Sequence, residues 1–260
     1  MAVRRRVGLS FIVASVLVAV AVVGIGGAPQ GAAGVAAAGP RPEFTQTVTL
    51  FPSKDNTLYE TELGTVSNGK GQHLFAGSTN DGDARRAVLA FDVAGTLPTG
   101  ATVTAAALTL TVSRAQTGAP AAPMSVHPLQ RSWGEGASDA LGEEGAGATA
   151  QPGDATWLYT FFNSTLWTQP GGDFGAALAA TPVGGPGAYT WSSAALTAGV
   201  QAALDAPTGT FGWIVIGDES AMGTARRFDS REHPAQDNRP RLVVTYTTEG
   251  AQAFIPVAIR

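Results

Sequence analysis

The chain has 260 residues, with 16 lysines and arginines against 20 aspartates and glutamates, a formal net charge of −4 at pH 7, and no cysteine. The absence of cysteine excludes disulfides, thiolate metal sites and cysteine nucleophiles, and the acidic balance disfavours nucleic acid as a partner. A chain of this length buries enough apolar surface to fold as one large domain without disulfides.

The amino terminus is typical of a secretory signal peptide at residues 1–38. Three consecutive arginines, Arg4 to Arg6, precede an apolar run at 7–25, and small residues with Ala-x-Ala character follow up to Ala38. An uncleaved anchoring helix is the alternative, because the run approaches the roughly 20 residues that a bilayer requires. We predict cleavage near Ala38 and a mature chain that is secreted or held at the cell surface without a membrane span.

Cleavage would make the mature chain more acidic. The three arginines leave with the signal peptide and all 20 acids stay, so 13 basic residues face 20 acidic ones and the net charge becomes −7. We expect this mature chain to be a monomer that comprises a linker at 39–44, a β domain at 45–248 and a C-terminal tail at 249–260. The tail is apolar but too short to cross a bilayer.

Ten short segments of the mature chain have the β-branched and aromatic composition of strands. They lie at 45–51, 57–60, 73–76, 87–93, 102–112, 124–129, 156–161, 189–192, 211–216 and 242–247, and turn-forming residues such as Asp81-Gly82 lie between them. Many short strands with intervening turns predict an all-β fold, either a sandwich or a barrel.

One segment breaks the strand pattern. Between Ser193 and Asp205 apolar residues recur near helical spacing, Ser192 or Ser193 can cap the first turn, and Pro207 can end the helix. We predict one short helix there. Two segments rich in glycine and alanine, 134–153 and 171–187, show no periodicity, and we predict that both are long surface loops.

A set of short motifs follows in order along the mature chain. They are Asp55-Asn56-Thr57-Leu58-Tyr59-Glu60, the segments 85–93, 98–103 and 107–110, Trp133-Gly134-Glu135-Gly136, Ala155-Thr156-Trp157, and the segments 167–174, 227–232 and 239–246. In order and spacing they resemble the signature segments of the DNRLRE domain family, although Thr57 and Tyr59 stand where the family has arginines. The resemblance implies a secreted β-sandwich of the jelly-roll type, related to carbohydrate-binding modules and without catalytic activity.

The stretch at 226–233 is unusually rich in charge. In a catalytic interpretation, Asp229, Glu232 and His233 supply an acid and a base, and Arg226 or Arg231 holds an anionic substrate. In a structural interpretation, residue 228 faces inward from a short strand, the arginines pair with acids at a sheet edge, and a loop begins at position 233. The structural interpretation is favoured, because no third catalytic residue stands at a recognisable spacing.

Other catalytic arrangements meet the same objection. Glu135, Asp173, Asp218 and Glu219 could supply the two carboxylates of a glycoside hydrolase, or they could be solvated loop acids. No serine lies in a Gly-x-Ser-x-Gly motif, and the three histidines lie in separate segments, with those at 73 and 127 predicted to be sheet residues. We therefore assign no catalytic residue.

Calcium is the only metal ion whose binding the sequence leaves open. The loops at 80–83 and 217–220 offer oxygen ligands that calcium favours, but neither completes an EF-hand loop. A structural calcium ion stays possible, no other cofactor is expected, and no metal ligand is assigned.

Aromatic residues are concentrated before the second glycine-rich segment. Trp157 is predicted to lie in the core, whereas Tyr159 and Trp167 are predicted to expose rings that stack on sugars, with Asp173 bonding sugar hydroxyls. These three residues form the predicted ligand site. The sequence thus favours a non-catalytic module that binds polysaccharide. The alternatives are a structural or adhesive surface domain with protein or cell-envelope partners and a polysaccharide-degrading enzyme.

Overall fold

A computed structural model describes residues 42–250 of the chain. The predicted signal peptide, residues 39–41 of the linker and the tail beyond residue 250 lie outside these residues. The described strands are β1 (Glu43–Leu50), β2 (Lys54–Tyr59), β3 (Val66–Ser67), β4 (His73–Ser78), β5 (Ala84–Ala90), β6 (Thr102–Ala115), β7 (Ala122–Pro128), β8 (Ala148–Thr149), β9 (Tyr159–Phe161), β10 (Thr165–Leu166), β11 (Ala179–Val183), β12 (Gly187–Ser192), β13 (Trp213–Ile216), β14 (Arg226–Asp229) and β15 (Arg241–Glu249). The predicted all-β fold is confirmed.

Helices are few in the described part of the chain. They are α1 (Val93–Thr96), α2 (Ala194–Asp205) and two 3₁₀ turns, Pro207–Gly209 and Gln236–Asn238. The predicted short helix is α2, and Ser193 caps it by accepting a hydrogen bond from the N–H of Leu196 at 2.9 Å. No helix among residues 42–250 has the length and apolar character needed to cross a membrane.

Eleven strands form one curled antiparallel sheet with two halves. In the first half the order is β1-β15-β6-β14-β4, with β12 also paired to the long strand β6, and in the second half it is β5-β13-β7-β11, with β2 paired to β5. The end of β4 pairs with the start of β5 and joins the halves. This arrangement gives a sandwich-like fold.

Strand β6 shows how the sequence sets this packing. Val103 is buried at its start, but further along Ala106, Leu108 and Leu110 are buried, so the buried set changes from odd to even positions. The change coincides with a register irregularity opposite Thr245 and Tyr246, since one extra residue in a bulge moves later side chains to the other face.

The apolar core between the two halves, called the inter-sheet core here, contains side chains from both of them and from α2. Leu108, Trp191 and Phe228 come from the first half, and Leu89 and Trp213 come from the second. All five are almost fully buried. Alternation along each strand brings these side chains to the same interior, and their burial stabilises the fold.

The second half of the sheet is also covered on its other face. Residues 129–175, called the covering layer here, pack over β2, β5 and β13. The apolar contact, called the outer core, joins three sheet residues to three tryptophans: Leu58, Val88, Ile214, Trp133, Trp157 and Trp167. Strands β5 and β13 are therefore buried on both faces.

The two glycine-rich segments differ from the prediction of surface loops. Ser138, Ala140 and Glu144 in the first segment are buried, and the second segment contains strand β11. Sequence periodicity did not indicate this packing, because small residues bring the backbone itself into contact and leave no apolar pattern. The first segment is thus part of the covering layer.

Candidate functional site

The charged stretch at 226–233 begins in β14 and continues into the next loop. The predicted inward position of residue 228 is confirmed by its place in the inter-sheet core. The prediction of an ion pair at a sheet edge is wrong for Arg226, since β14 lies between β4 and β6. This buried guanidinium instead donates hydrogen bonds to the carbonyl oxygens of Gly184 and Pro120, both at 2.8 Å, and of Thr224 at 2.7 Å. Arg226 is therefore a structural residue.

Arg231 is the centre of a cluster of charges after β14. Its guanidinium donates to Glu135 Oε1 at 2.7 Å and to Glu232 Oε1 at 3.0 Å, and its backbone N–H donates to Asp55 Oδ2 at 2.8 Å. Lys70 Nζ lies 3.0 Å from Glu135 Oε2. The three carboxylates have ligand atoms within 4.8 Å of one another, but these two cations of the chain already neutralise much of their charge.

Burial changes the acidity of two acids in this cluster. Desolvation, strengthened by the nearby negative charge of Glu232, raises the pKa of Asp55 well above its usual range. Desolvation also raises the pKa of Glu232, against the opposing effect of Arg231. A carboxyl group with a raised pKa can act as a general acid, but Asp55 is only 1% exposed and is closed to a polymeric substrate.

Asp229, the other acid of the predicted acid–base set, is buried at the end of β14. His73 Nδ1 lies 3.2 Å and His233 Nε2 lies 3.6 Å from its Oδ1 atom, and neither contact has the geometry of a hydrogen bond. Burial raises the pKa of Asp229, but His73, Ser113 and His233 outweigh this effect and hold the pKa below its usual value. Asp229, at the end of β14, thus lies beside His73 and His233, and Glu232, in the following loop, is paired with Arg231.

The loop acids considered for glycoside hydrolysis also have partners. Glu219 accepts two hydrogen bonds from Arg86, both at 2.8 Å. Asp218 Oδ1 accepts the N–H and the hydroxyl of Ser220 at 2.9 and 2.6 Å. Glu135 belongs to the cluster around residue 231. None of these three carboxylates is a free loop acid.

Two smaller expectations concern histidine and calcium. His127 lies in β7, with Nδ1 2.9 Å from Gly175 O and Nε2 2.8 Å from Ser125 Oγ, which confirms a sheet residue with a satisfied ring. Among residues 42–250, neither of the loops 80–83 and 217–220 contributes to a group of three acids or histidines at ligand spacing. The calcium hypothesis therefore gains no support from these loops.

The aromatic cluster is divided between core and surface. Trp157 is buried, as predicted, beneath the guanidinium of Arg86, which lies 4.8 Å from the centre of its ring. Trp167 is only 5% exposed, and its indole N–H donates to Thr156 O at 2.9 Å. The predicted exposure of Trp167 is therefore wrong: after β10 its ring enters the outer core. Tyr159 is half-buried and meets Phe162 edge-on at 5.5 Å.

Asp173 lines a groove of about 570 Å³, called the Asp173 groove here. Its buried carboxylate accepts hydrogen bonds from the N–H groups of Thr168 at 2.8 Å and Gln169 at 2.9 Å. Arg131 Nε lies 2.7 Å from the same carboxylate. Asp173 thus shapes the loop that borders the groove, whereas neither Tyr159 nor Trp167 lines it.

The groove contains residues that sequence reasoning missed. Gln130 and Arg131 follow β7, and the backbone N–H of Gln130 donates to Asp173 O at 2.9 Å. Phe174 forms an isolated bridge with Leu129 and presents a half-buried ring to the groove. The only sign of these residues in the sequence was the change from apolar to polar residues after position 129. The two sides of the groove are about 40 positions apart in the sequence, so the sequence did not bring them together.

Comparison with known proteins gives no family for this chain. No protein-family model matches it, and no curated protein matches it significantly. The resemblance to DNRLRE domains therefore depends on the motifs themselves.

Proposed function

We propose that the protein is a non-catalytic extracellular module, of the DNRLRE type, that binds polysaccharide in the Asp173 groove. The observation that carries this proposal is the composition of the groove. The exposed amides of Gln130 and Gln169 and the hydroxyl of Thr168 lie around the half-buried ring of Phe174. Sugars present hydroxyl groups beside apolar C–H faces, and binding sites of this mixed composition match both.

The loop at 168–173 is held in place before any ligand binds. Asp173 caps two of its N–H groups, and the N–H of Gly171 donates to Trp157 O at 2.7 Å. Gly171 has a φ of +82°, and a Cβ atom there would lie 2.5 Å from Arg86 Nη1. Only glycine fits this position without strain. A preorganised loop loses less conformational entropy on binding, which favours affinity for a flexible polymer.

The charges of the groove favour an uncharged polysaccharide. Arg86 is paired with Glu219 at 2.8 Å, and Arg131 is paired with Asp173 at 2.7 Å. Each guanidinium thus has its counterion within the chain, and hydrogen bonds to sugar hydroxyls come mainly from the neutral amides. A charged polymer would have to break these ion pairs.

The test is a glycan array with residues 39–260, followed by affinity electrophoresis on each positive polysaccharide. Gln169→Ala should weaken binding about tenfold, because it removes hydrogen bonds to sugar hydroxyls. Gln236→Ala removes an exposed amide outside the groove and is the matched control. Unchanged thermal midpoints in both variants would show that folding is not the cause. Equal binding by the two variants would contradict the proposed site, and a blank array would contradict the function.

Two further measurements test the extracellular, non-catalytic part of the proposal. Mass spectrometry of protein recovered from the medium should find a mature amino terminus near Ala38. Incubation of that protein with a bound polysaccharide should release neither reducing nor unsaturated sugar ends. Release that is abolished by Glu135→Gln or Asp218→Asn would favour the enzyme instead.

A further inference from the structure

A second groove lies where the ends of four strands meet, and it encloses about 480 Å³. Three of its lining residues are arginines: Arg85 at the start of β5, Arg114 near the end of β6 and Arg227 in β14. We call it the arginine groove. Its three cations face a single lining acid, which is Glu143.

Glu143 already occupies part of this groove as an anion. Its Oε2 atom accepts hydrogen bonds from both Arg114 and Arg227. These contacts, the hydrogen bond from Arg114 first, lower the pKa of Glu143. The side chain is nevertheless 68% exposed, and Gly142 and Gly145 flank the acidic pair at 143–144. An exposed carboxylate held only by two guanidiniums can be exchanged for another carboxylate.

Arg85 offers a further cation in the wall of the groove. Its side chain is more than nine-tenths buried, and its Nε atom has no hydrogen-bond partner. Its nearest acid is Asp83, at 4.0 Å, and its guanidinium lies 5.1 Å from the ring centre of Tyr59. A buried guanidinium with an unsatisfied donor favours an anion beside it, because that anion would compensate its lost hydration.

We propose that the arginine groove binds an acidic peptide segment of a partner protein, with one carboxylate in the place of Glu143 and a second one near Arg85. The carboxylate now held there belongs to an exposed glutamate of the chain itself, so the groove accepts this side chain in a peptide context. The exposed amides of Asn80 and Gln116 line the same groove and suit peptide N–H and C=O groups. Glu143 then acts as an internal competitor that limits affinity.

The probe is a fluorescent peptide with the sequence of residues 141–147, compared with a counterpart in which both glutamates are glutamine. Fluorescence anisotropy should show that Glu143→Gln binds the acidic peptide about tenfold more tightly than wild type, since a neutral amide oxygen competes for the arginine donors more weakly than a carboxylate. In the Glu143→Gln background, Arg114→Ala should lose about tenfold in affinity. Arg131→Ala, an exposed arginine of the Asp173 groove, should lose none.

The proposal is overturned by any of three results. The first is that the glutamine counterpart binds as well as the acidic peptide. The second is that Glu143→Gln shows no binding at millimolar peptide. The third is that an acidic oligosaccharide, for which an oligogalacturonide is the probe, binds the groove while the peptide does not. Because this groove and the Asp173 groove share no lining residue, the Gln169→Ala and Arg114→Ala variants separate failure here from failure of the glycan site.

Discussion

The two faces of the second half-sheet are buried in different ways. On the inner face, alternate strand residues such as Leu89 and Trp213 meet apolar side chains of the other half-sheet. On the outer face, the covering layer contributes tryptophans and also a buried polar network. In that network Asn56 donates to Ser67 Oγ and Glu135 O, both at 2.9 Å, and accepts the N–H of Asn68 at 3.1 Å.

This difference between the two contacts follows from the backbone that covers each face. Paired strands satisfy their own N–H and C=O groups, so their contact surface can be purely apolar. An irregular layer leaves such groups unpaired, and buried polar side chains must bond them. Asp154 does so for the N–H groups of Ala137 at 2.8 Å and Gln151 at 2.7 Å, and Glu144 does so for Gln72 at 3.1 Å and His73 at 2.9 Å.

Trp167→Ala should give the largest effect and test the outer core. The ring is buried against the half-sheet and donates a hydrogen bond to Thr156, so its loss should lower the free energy of unfolding by about 3–5 kcal/mol. Urea unfolding followed by fluorescence and circular dichroism measures it. A change below about 1 kcal/mol would show that the ring is exposed in solution.

Leu108→Ala tests the inter-sheet core, again through the free energy of unfolding. Its side chain is fully buried in β6, and truncation should cost about 3 kcal/mol through lost burial and a residual cavity. Leu141, which is 92% exposed, gives the control: Leu141→Ala should stay within about 0.5 kcal/mol. Similar losses in the two leucine variants would contradict the assignment of the core.

The inner face was more predictable from sequence than the outer face. All ten predicted strands overlap observed ones, because β-branched and apolar alternation produces that interior. Strand β11 was missed since its sequence, Ala-Ala-Thr-Pro-Val, carries little pattern, and Pro182 is tolerated there because β11 is an edge strand. The helix was predicted correctly from its cap and its spacing.

The candidate sites depend on contacts between distant positions. Residues 56 and 135 are 79 positions apart, and residues 114 and 143 are 29 apart, although each pair is in contact. A single sequence indicates which side chains carry charge or amide groups, but it does not indicate which loops meet. Asp173 was predicted as a ligand residue because of its neighbours in sequence, whereas Gln130 and Arg131 reach the same groove from the segment after β7.

Asn56→Ala tests the polar network and should have an intermediate effect. It leaves the N–H of Asn68 and the carbonyl of Glu135 without their partner in a buried site, so we expect a loss of about 2 kcal/mol. Hydrogen exchange should show earlier opening of residues 134–155 than of β6 and β15. Asn80→Ala, at an exposed asparagine, is the control. Uniform loss of protection in both regions would mean that the network does not stabilise the covering layer selectively.

Asp55 gives the outer face a pH dependence that the inner face lacks. Its pKa is raised in the folded protein, mainly by desolvation and then by Glu232. The stability linked to this group is therefore fully present below the pKa of the unfolded chain, near pH 4, and is lost as pH rises through the folded value. The lowered pKa of Asp229 acts in the opposite direction, because its contribution is lost as pH falls.

Asp55→Asn should isolate the contribution of this carboxyl group to the free energy of unfolding. We expect the smallest change from this substitution. The amide oxygen can still accept the N–H of Arg231, which now bonds Asp55 Oδ2 at 2.8 Å, and no charge remains buried at position 55. At pH 7 the variant should match or exceed wild type within about 1 kcal/mol, and its advantage should shrink as pH falls toward 4. Urea titrations at several pH values measure this difference, with Leu108→Ala as a variant whose loss should not change with pH. An Asp55→Asn variant that is less stable at pH 7 than at pH 4, relative to wild type, would mean that the charged carboxylate stabilises the covering layer through Arg231.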